Sequence, residues 1–342
     1  MQGLPVILQK LLIDTFPGSG KQGKLPSYLS SKEESVNGPY PNFLITSGRD
    51  AIAGALFIKS QDRKNILSKS IISVYLGFPD IPFVNFDHVI LPKYEVATKL
   101  AKLGPLSNQK NYTSVMTPLM ALNRQPEEST YKTLSSLSSR AFVESDLPLT
   151  AFVVGNHNHH CRWYPEDATL VADNIERIIN NLGQKVLVIY TDKTAPKIKE
   201  TINACLKSNA DESSVLATCD LSKIEDVEEK CRTYDALLQQ CQKAVMTADL
   251  DYLVMEAVVK RKPVYIAFQD RCSGHLLQIH RWLREHSLTR KLRLNRMRSG
   301  LQTQSADPFS YLGNHKPWGD GRKALDLESV WRKVVDSLES LE

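Results

Sequence analysis

The stretch Thr247-Ala-Asp-Leu-Asp-Tyr-Leu-Val-Met-Glu-Ala-Val-Val-Lys-Arg-Lys-Pro-Val-Tyr-Ile266 constrains the fold more than any other part of the chain. Ala248 and Asp249 supply a turn and an N-cap candidate. Leu250, Leu253, Val254, Ala257 and Val258 recur at helical spacing and form one apolar face, with a single carboxylate, Glu256, inside the helix. Lys262-Pro263 ends that helix, because the residue before a proline avoids the α region. Val264 to Phe268 then has the β-branched and aromatic content of a buried strand. A strand–helix–strand unit of this kind belongs to a parallel sheet, whose neighbouring strands must be joined by crossovers.

The same alternation runs through most of the chain. Asn42–Thr46, Ile71–Tyr75, Asp87–Leu91 and Ser114–Thr117 read as strands of a first half. Thr150–Val154, Lys185–Tyr190 and Lys243–Met246 read as strands of a second. Helices are expected over residues 1–14, 51–59, 166–182, after a turn over 191–196 through 207, over 234–241 and over 325–341. Residues 17–41 and 299–322 read as loop, and 123–145 as the helix or linker joining the halves. Strands alternating with helices of 10–15 residues give an α/β fold with parallel sheets. The expected division is 1–145, 146–322 and a C-terminal helix over 323–342. A length of 342 residues fits two domains at ~150 residues each.

Charge and cysteine usage narrow the function class. Lys and Arg number 43 against 38 Asp and Glu, a balance of +5 that does not describe a dedicated nucleic-acid binder. Six cysteines (Cys161, Cys205, Cys219, Cys231, Cys241, Cys272) show no CxxC spacing and read as reduced thiols of a cytosol-facing protein. No run of about 18 apolar residues is present, so no transmembrane helix is expected.

Ligands of parallel sheets sit beyond the carboxyl ends of the strands. The turns after the strands therefore hold the candidate residues. Ser47-Gly48-Arg49 has a glycine for close backbone approach and an arginine to pair with an anion; the alternative is a structural turn. Gly155 and Asn156 follow the first strand of the second half, and Thr191 and Thr194 follow the next. Thr247 and Asp249 would hold phosphate through their backbone amides or cap the helix. Glu256 would face ribose hydroxyls or water. His157, His159, His160 and Cys161 invite a zinc reading, but adjacent histidines rarely share one ion and no distant pair complements them. A polar loop lining a cleft is preferred, with His157 or His159 as weak candidates for a general base. No metal and no cofactor are expected. Residues 281–298 carry seven basic groups against one acid, which reads as a solvated face or a peripheral contact with anionic membrane.

An ordered series of segments resembles the mitochondrial fission ELM family, which is GT-B-like. The series comprises Ser47-Gly-Arg49, Phe86-Asp87-x-Val89-Ile90-x-Pro92, Gly155 with Arg162-Trp163, and Thr191-x-x-Thr194-x-Pro196. It continues with Thr247-Ala-Asp249, Met255-Glu-Ala257, Lys262-Pro-Val-Tyr-Ile266, His280-x-x-Leu283 and Leu288-x-Arg290. The resemblance implies two Rossmann-like domains facing a cleft, with a donor-type segment at 247–263. It also implies an adaptor on the cytosolic face of the mitochondrial outer membrane that engages a dynamin-related GTPase; a cytoplasmic location is the alternative. The alternative function is a GT-B-type glycosyltransferase with a nucleotide-sugar ligand. Three departures stand out. The family begins with a strand and a Gly-rich loop ahead of the position of Met1-Gln2-Gly3-Leu4, so the expectation is either a true start upstream of Met1 or a degenerate N-terminal domain that lacks its first strand. Asp251 stands where the family has hydroxyls, and Arg261 where it has glycine.

Overall fold

The computed structural model describes residues 42–62, 71–99, 111–115, 138–207, 214–292 and 327–341. The expected helix over 1–14 and the expected loops over 17–41 and 299–322 lie outside them. The described residues fall into two units, 42–115 together with 327–341, and 138–292.

In the first unit β1 (Phe43–Ser47) leads to α1 (Ala51–Asp62), β2 (Ile72–Leu76), β3 (His88–Pro92), α2 (Lys93–Lys99) and β4 (Tyr112–Val115). The strands pair in parallel in the order β1-β2-β3-β4. One side of the sheet carries a core that includes Ile52, Tyr75, Phe83, Phe86, Val89 and Leu91. The other side gathers Val74, Ile90 and Val115 around Val334. Asp87 ties β2 to β3. Its carboxylate accepts hydrogen bonds from the Ser73 amide at 2.7 Å, the Ser73 hydroxyl at 2.8 Å and Lys59 Nζ at 2.6 Å.

The second unit runs through α3 (Arg140–Glu144), β5 (Leu149–Val154), α4 (Ala168–Leu182), β6 (Lys185–Tyr190) and α5 (Pro196–Lys207). It continues with β7 (Leu216–Asp220), α6 (Val227–Gln240), β8 (Lys243–Thr247), α7 (Asp251–Val259), β9 (Val264–Ala267), α8 (Gly274–Glu285) and β10 (Thr289–Lys291). Its six strands are all parallel, in the order β10-β9-β8-β5-β6-β7. Counted from β5 this is 3-2-1-4-5-6, the order of a dinucleotide-binding Rossmann sheet. Every residue of β5 and β6 is buried, as expected of strands covered by helices on both faces. The fold is α/β with two Rossmann-like units, each built on a parallel sheet.

The chain closes with α9 (Leu327–Glu339), which packs on the first unit through Val334. Lys333 Nζ donates to the Ser114 carbonyl at 3.0 Å.

Several elements differ from the sequence reading. The helix expected over 234–241 starts at Val227, because Asp226 accepts the Glu229 amide at 2.7 Å and caps it. Its first turn, Glu228-Glu229-Lys230, is exposed or nearly so and hides the helical stripe. The strand β7 and the helix α8 were not expected. Leu216-Ala-Thr-Cys-Asp220 is short and only partly buried, and α8 lies largely ahead of the basic run that drew attention to this region.

Candidate functional site

In the second unit β5 and β8 lie side by side while the chain leaves them in opposite directions across the sheet. A crevice opens at such a switch point, beyond the carboxyl ends of the two strands. Gly155-Asn156 and Thr247-Ala248-Asp249 meet there. The Gly155 amide donates to Thr247 Oγ1 at 2.9 Å, and the Asn156 amide donates to Asp249 Oδ2 at 2.9 Å. Trp163 Nε1 donates to Asp249 Oδ1 at 2.9 Å, and its ring stacks on Phe268 at 5.1 Å and 7°. Burial pushes the Asp249 carboxyl above its ordinary value. The bonds from Asn156, Thr247 and Trp163 favour the charged form and offset only part of that.

The geometry explains why Gly155 is glycine. A Cβ there would stand 1.9 Å from Asp249 Oδ2 and 2.7 Å from Leu250 Cδ2. It also corrects the reading of Asp249 as a helix cap. The cap position of α7 is Leu250, which offers no side-chain bond, while Asp249 turns inward and holds the loop after β5. Thr194 is locked in a similar way. Its hydroxyl donates to the Val154 carbonyl at 2.5 Å and accepts the Thr191 amide at 2.9 Å, so the turn after β6 is fastened to the end of β5.

Beside this locked centre lies a cavity of about 300 Å³. Its apolar wall is Leu221, Tyr234, Leu250, Tyr252 and Leu253, and its polar wall includes Thr191, Lys193, Asp251 and Glu256. Three features set its electrostatics. Burial, and then the Glu256 and Asp235 charges, hold the Tyr234 phenol well above its usual range. Lys230 pairs with Asp192 at 2.8 Å across the rim. Asp251 occupies the first turn of α7, accepting the Tyr252 amide at 2.9 Å and facing His275 Nε2 at 3.6 Å. Burial raises the Asp251 carboxyl, but His275, the Tyr252 amide and Lys193 outweigh it and leave it below the ordinary value. The positive end of α7 thus already has an anion of the chain's own.

The candidate residues divide among these places. Thr191 and Glu256 line the cavity. Gly155, Asn156, Thr194, Thr247 and Asp249 form the buried lock beside it. His157 and His159 are exposed on the loop after β5 and are not part of the cavity wall. His157 Nδ1 lies 3.1 Å from Asn156 Oδ1, and the His159 ring lies 3.9 Å from that of His160. Among the described residues no group of three His, Cys, Asp or Glu is placed to hold a metal ion. Ser47, Gly48 and Arg49 form an exposed turn at the end of β1 in the other unit. Gly48 has φ +83°, and the Ser47 hydroxyl donates to the Leu76 carbonyl at 3.2 Å. Sequence reasoning missed Tyr234, Tyr252 and Leu221 as cavity wall, since nothing in their spacing marks them. It also missed Trp163 as the partner of Asp249.

Across 260 residues the chain is 24% identical to the mitochondrial fission protein ELM1 of Arabidopsis thaliana, covering 73% of this chain and 57% of that protein. The chain therefore spans little more than half the length of that relative. Among solved structures, the Methanocaldococcus jannaschii UDP-GlcNAc 2-epimerase aligns at a TM-score of 0.43 and 11% identity, over 96% of this chain and 79% of that one. The catalytic domain of starch synthase IV from Arabidopsis thaliana aligns at 0.43 and 12%, over 98% and 74%. The sequence pattern of the family described as mitochondrial fission ELM1 matches residues 8–311, and the chain belongs to that family.

Proposed function

We propose that this chain acts in mitochondrial division as a non-catalytic adaptor at the cytosolic face of the outer membrane, where it engages a dynamin-related GTPase. Family membership supports the process. One observation supports the absence of transfer chemistry: Asp251 sits at the positive end of α7, on the wall of the cavity. A nucleotide-sugar transferase must stabilise the diphosphate that departs, and a helix N-terminus is a natural seat for it. A carboxylate in that seat repels the group it would have to hold. Among the described residues no helix is long and apolar enough to cross a membrane. The basic run over 281–298 supports contact with anionic lipid.

A second reading rests on the cavity itself. Glu256 on a helix, Thr191 and Lys193 on the facing turn, and two tyrosines make a wall suited to a nucleoside. That reading is a nucleotide-sugar donor site and, with it, a transferase. A thermal-shift screen of nucleotides and nucleotide sugars on wild type, Glu256→Ala and Asp251→Asn finds any ligand of the cavity, and an assay of donor cleavage on the same three proteins separates the two readings. A ligand at ~100 times its dissociation constant stabilises by ~2.7 kcal/mol, which raises the melting temperature by roughly 5–10 °C. The adaptor reading expects no turnover of any donor and capture of a purified dynamin-related GTPase. Donor cleavage that is lost in Glu256→Ala would overturn it.

A further inference from the structure

The loop leaving β5 and the loop leaving β9 meet as a short antiparallel ribbon. The His160 carbonyl accepts the Ser273 amide at 2.7 Å, and the Arg162 amide donates to the Arg271 carbonyl at 3.2 Å. Between those two bonds Cys161 stands directly opposite Cys272. They make no backbone bond to each other, so they form the narrow kind of antiparallel pair, whose Cα atoms approach to about 4.5 Å. A disulfide accepts Cα separations of roughly 4.4–6.8 Å. The two Sγ atoms are 3.5 Å apart, and both cysteines are free and buried.

We propose that Cys161 and Cys272 are a redox-closable dithiol that clamps these two loops together beside the switch point. In the resting chain both sulfurs are reduced and in hydrogen-bond contact with each other. The Cys161 sulfur, and after it His280, hold the Cys272 thiol below its ordinary value, while the same contact and burial hold Cys161 above it. Cys272 is the more exposed of the two, at 8% against none for Cys161. Cys272 is therefore the attacking thiolate and Cys161 the resolving thiol. With a hydroperoxide as oxidant, the Cys272 sulfur displaces one oxygen as water or alcohol and becomes a sulfenic acid. The Cys161 sulfur then attacks it, the S–S bond forms, and the sulfenic oxygen departs as water with the Cys161 proton. Two electrons pass from the thiols to the peroxide, and a dithiol reductant reverses the step.

The backbone is already drawn tight at this point. Gly274, at φ +56°, follows Cys272 by two residues, and a Cβ on it would lie 2.7 Å from His160 Nδ1. The bond asks for a shift of the two side chains toward each other and little from the loops. Closure would fix Gly155–Arg162 against Phe268–Gly274, the two stretches that frame Asp249 and Trp163.

Tryptic mapping of the full chain tests this directly. Ala141–Arg162 and Cys272–Arg281 each contain one cysteine and end at arginine. After equimolar hydrogen peroxide and alkylation in denaturant, the expected product is these two peptides joined, two hydrogens lighter than their sum. Dithiothreitol should release it, and closure should raise the melting temperature by about 5 °C or more. In Cys161→Ala, dimedone should capture a sulfenic acid at Cys272. Both cysteines fully alkylated, or Cys272 driven to sulfinic acid without a linked peptide, would overturn the proposal. If Cys161→Ala fails to fold, the wild-type map alone decides.

Discussion

The two parallel sheets of this chain differ where it matters for ligand binding. In the second unit the strand order reverses between β5 and β8; β5 is wholly buried and β8 is buried from Ala244 to Thr247. In the first unit the described strands succeed one another without reversal, and β1 at the margin is half open, with Ile45 57% exposed. A crevice at the carboxyl ends of strands needs neighbours whose connections diverge, so only the second sheet makes one among the described residues. The difference teaches that similar strand–helix alternation does not make equivalent sites. Arg49 and Glu256 follow comparable strands, but Glu256 lines a cavity while Arg49 lies on an exposed turn.

The sharpest way to break this comparison is to place the same methyl group in each unit. Gly155→Ala puts a Cβ 1.9 Å from the Asp249 carboxylate, which its bonds from Asn156 and Trp163 hold in place. A loss of about 4 kcal/mol or more, or failure to fold, is expected in urea unfolding. Gly54→Ala, in α1 of the first unit, meets nothing within 4 Å. It should stabilise by up to about 1 kcal/mol, because alanine replaces a helical glycine without strain. Equal effects at the two positions would mean that the Asp249 lock is loose in solution.

A smaller contrast lies in pH. Asp87 in the first unit is lowered: burial acts to raise it, but Lys59 and Ser73 prevail. Its contribution is present above the unfolded value, near 3.8, and is lost as pH falls through the folded value. Asp249 in the second unit is raised, so its contribution is fully present below 3.8 and fades as pH rises through the folded value. Against wild type, Asp87→Asn should therefore cost less as the solution is acidified, and Asp249→Asn should cost more. Unfolding curves of both variants across the acid range check this. Parallel slopes would remove the distinction between an ion-paired aspartate and a desolvated one.

Much of the fold was legible because the strands are written in β-branched residues and the helices carry long apolar stripes. Lys185-Val-Leu-Val-Ile-Tyr190 and residues 168–182 could be little else. What escaped was written in polar or short segments. The first turn of α6 is acidic and solvated, and its beginning depends on one bond from the Glu229 amide to Asp226. The site was legible in position but not in role. The turns after β5, β6 and β8, singled out in the sequence, are brought together in the structure. Spacing along the chain cannot tell, however, that Asp249 points inward to Trp163, 86 residues earlier. Nor can it bring Cys161 to Cys272 across 111 residues. Such pairings come from the order of strands in the sheet, which local sequence does not encode.

The smallest expected effect tests the open margin of the first sheet. Ile45 lies in the middle of β1, which pairs with β2 on one side only among the described residues. Ile45→Thr keeps the β-branched shape and the strand propensity while removing apolar surface. At 57% exposure, little of that surface leaves water on folding, so the change should stay within about 0.5 kcal/mol. Val188, in the middle of β6 and wholly buried, gives the opposite case: Val188→Thr buries a hydroxyl among hydrocarbon and should cost roughly 1–3 kcal/mol. A loss at Ile45 approaching that at Val188 would mean that β1 is covered in solution. The first sheet would then be wider than four strands, and its margin would have to be counted among the buried surfaces of this protein.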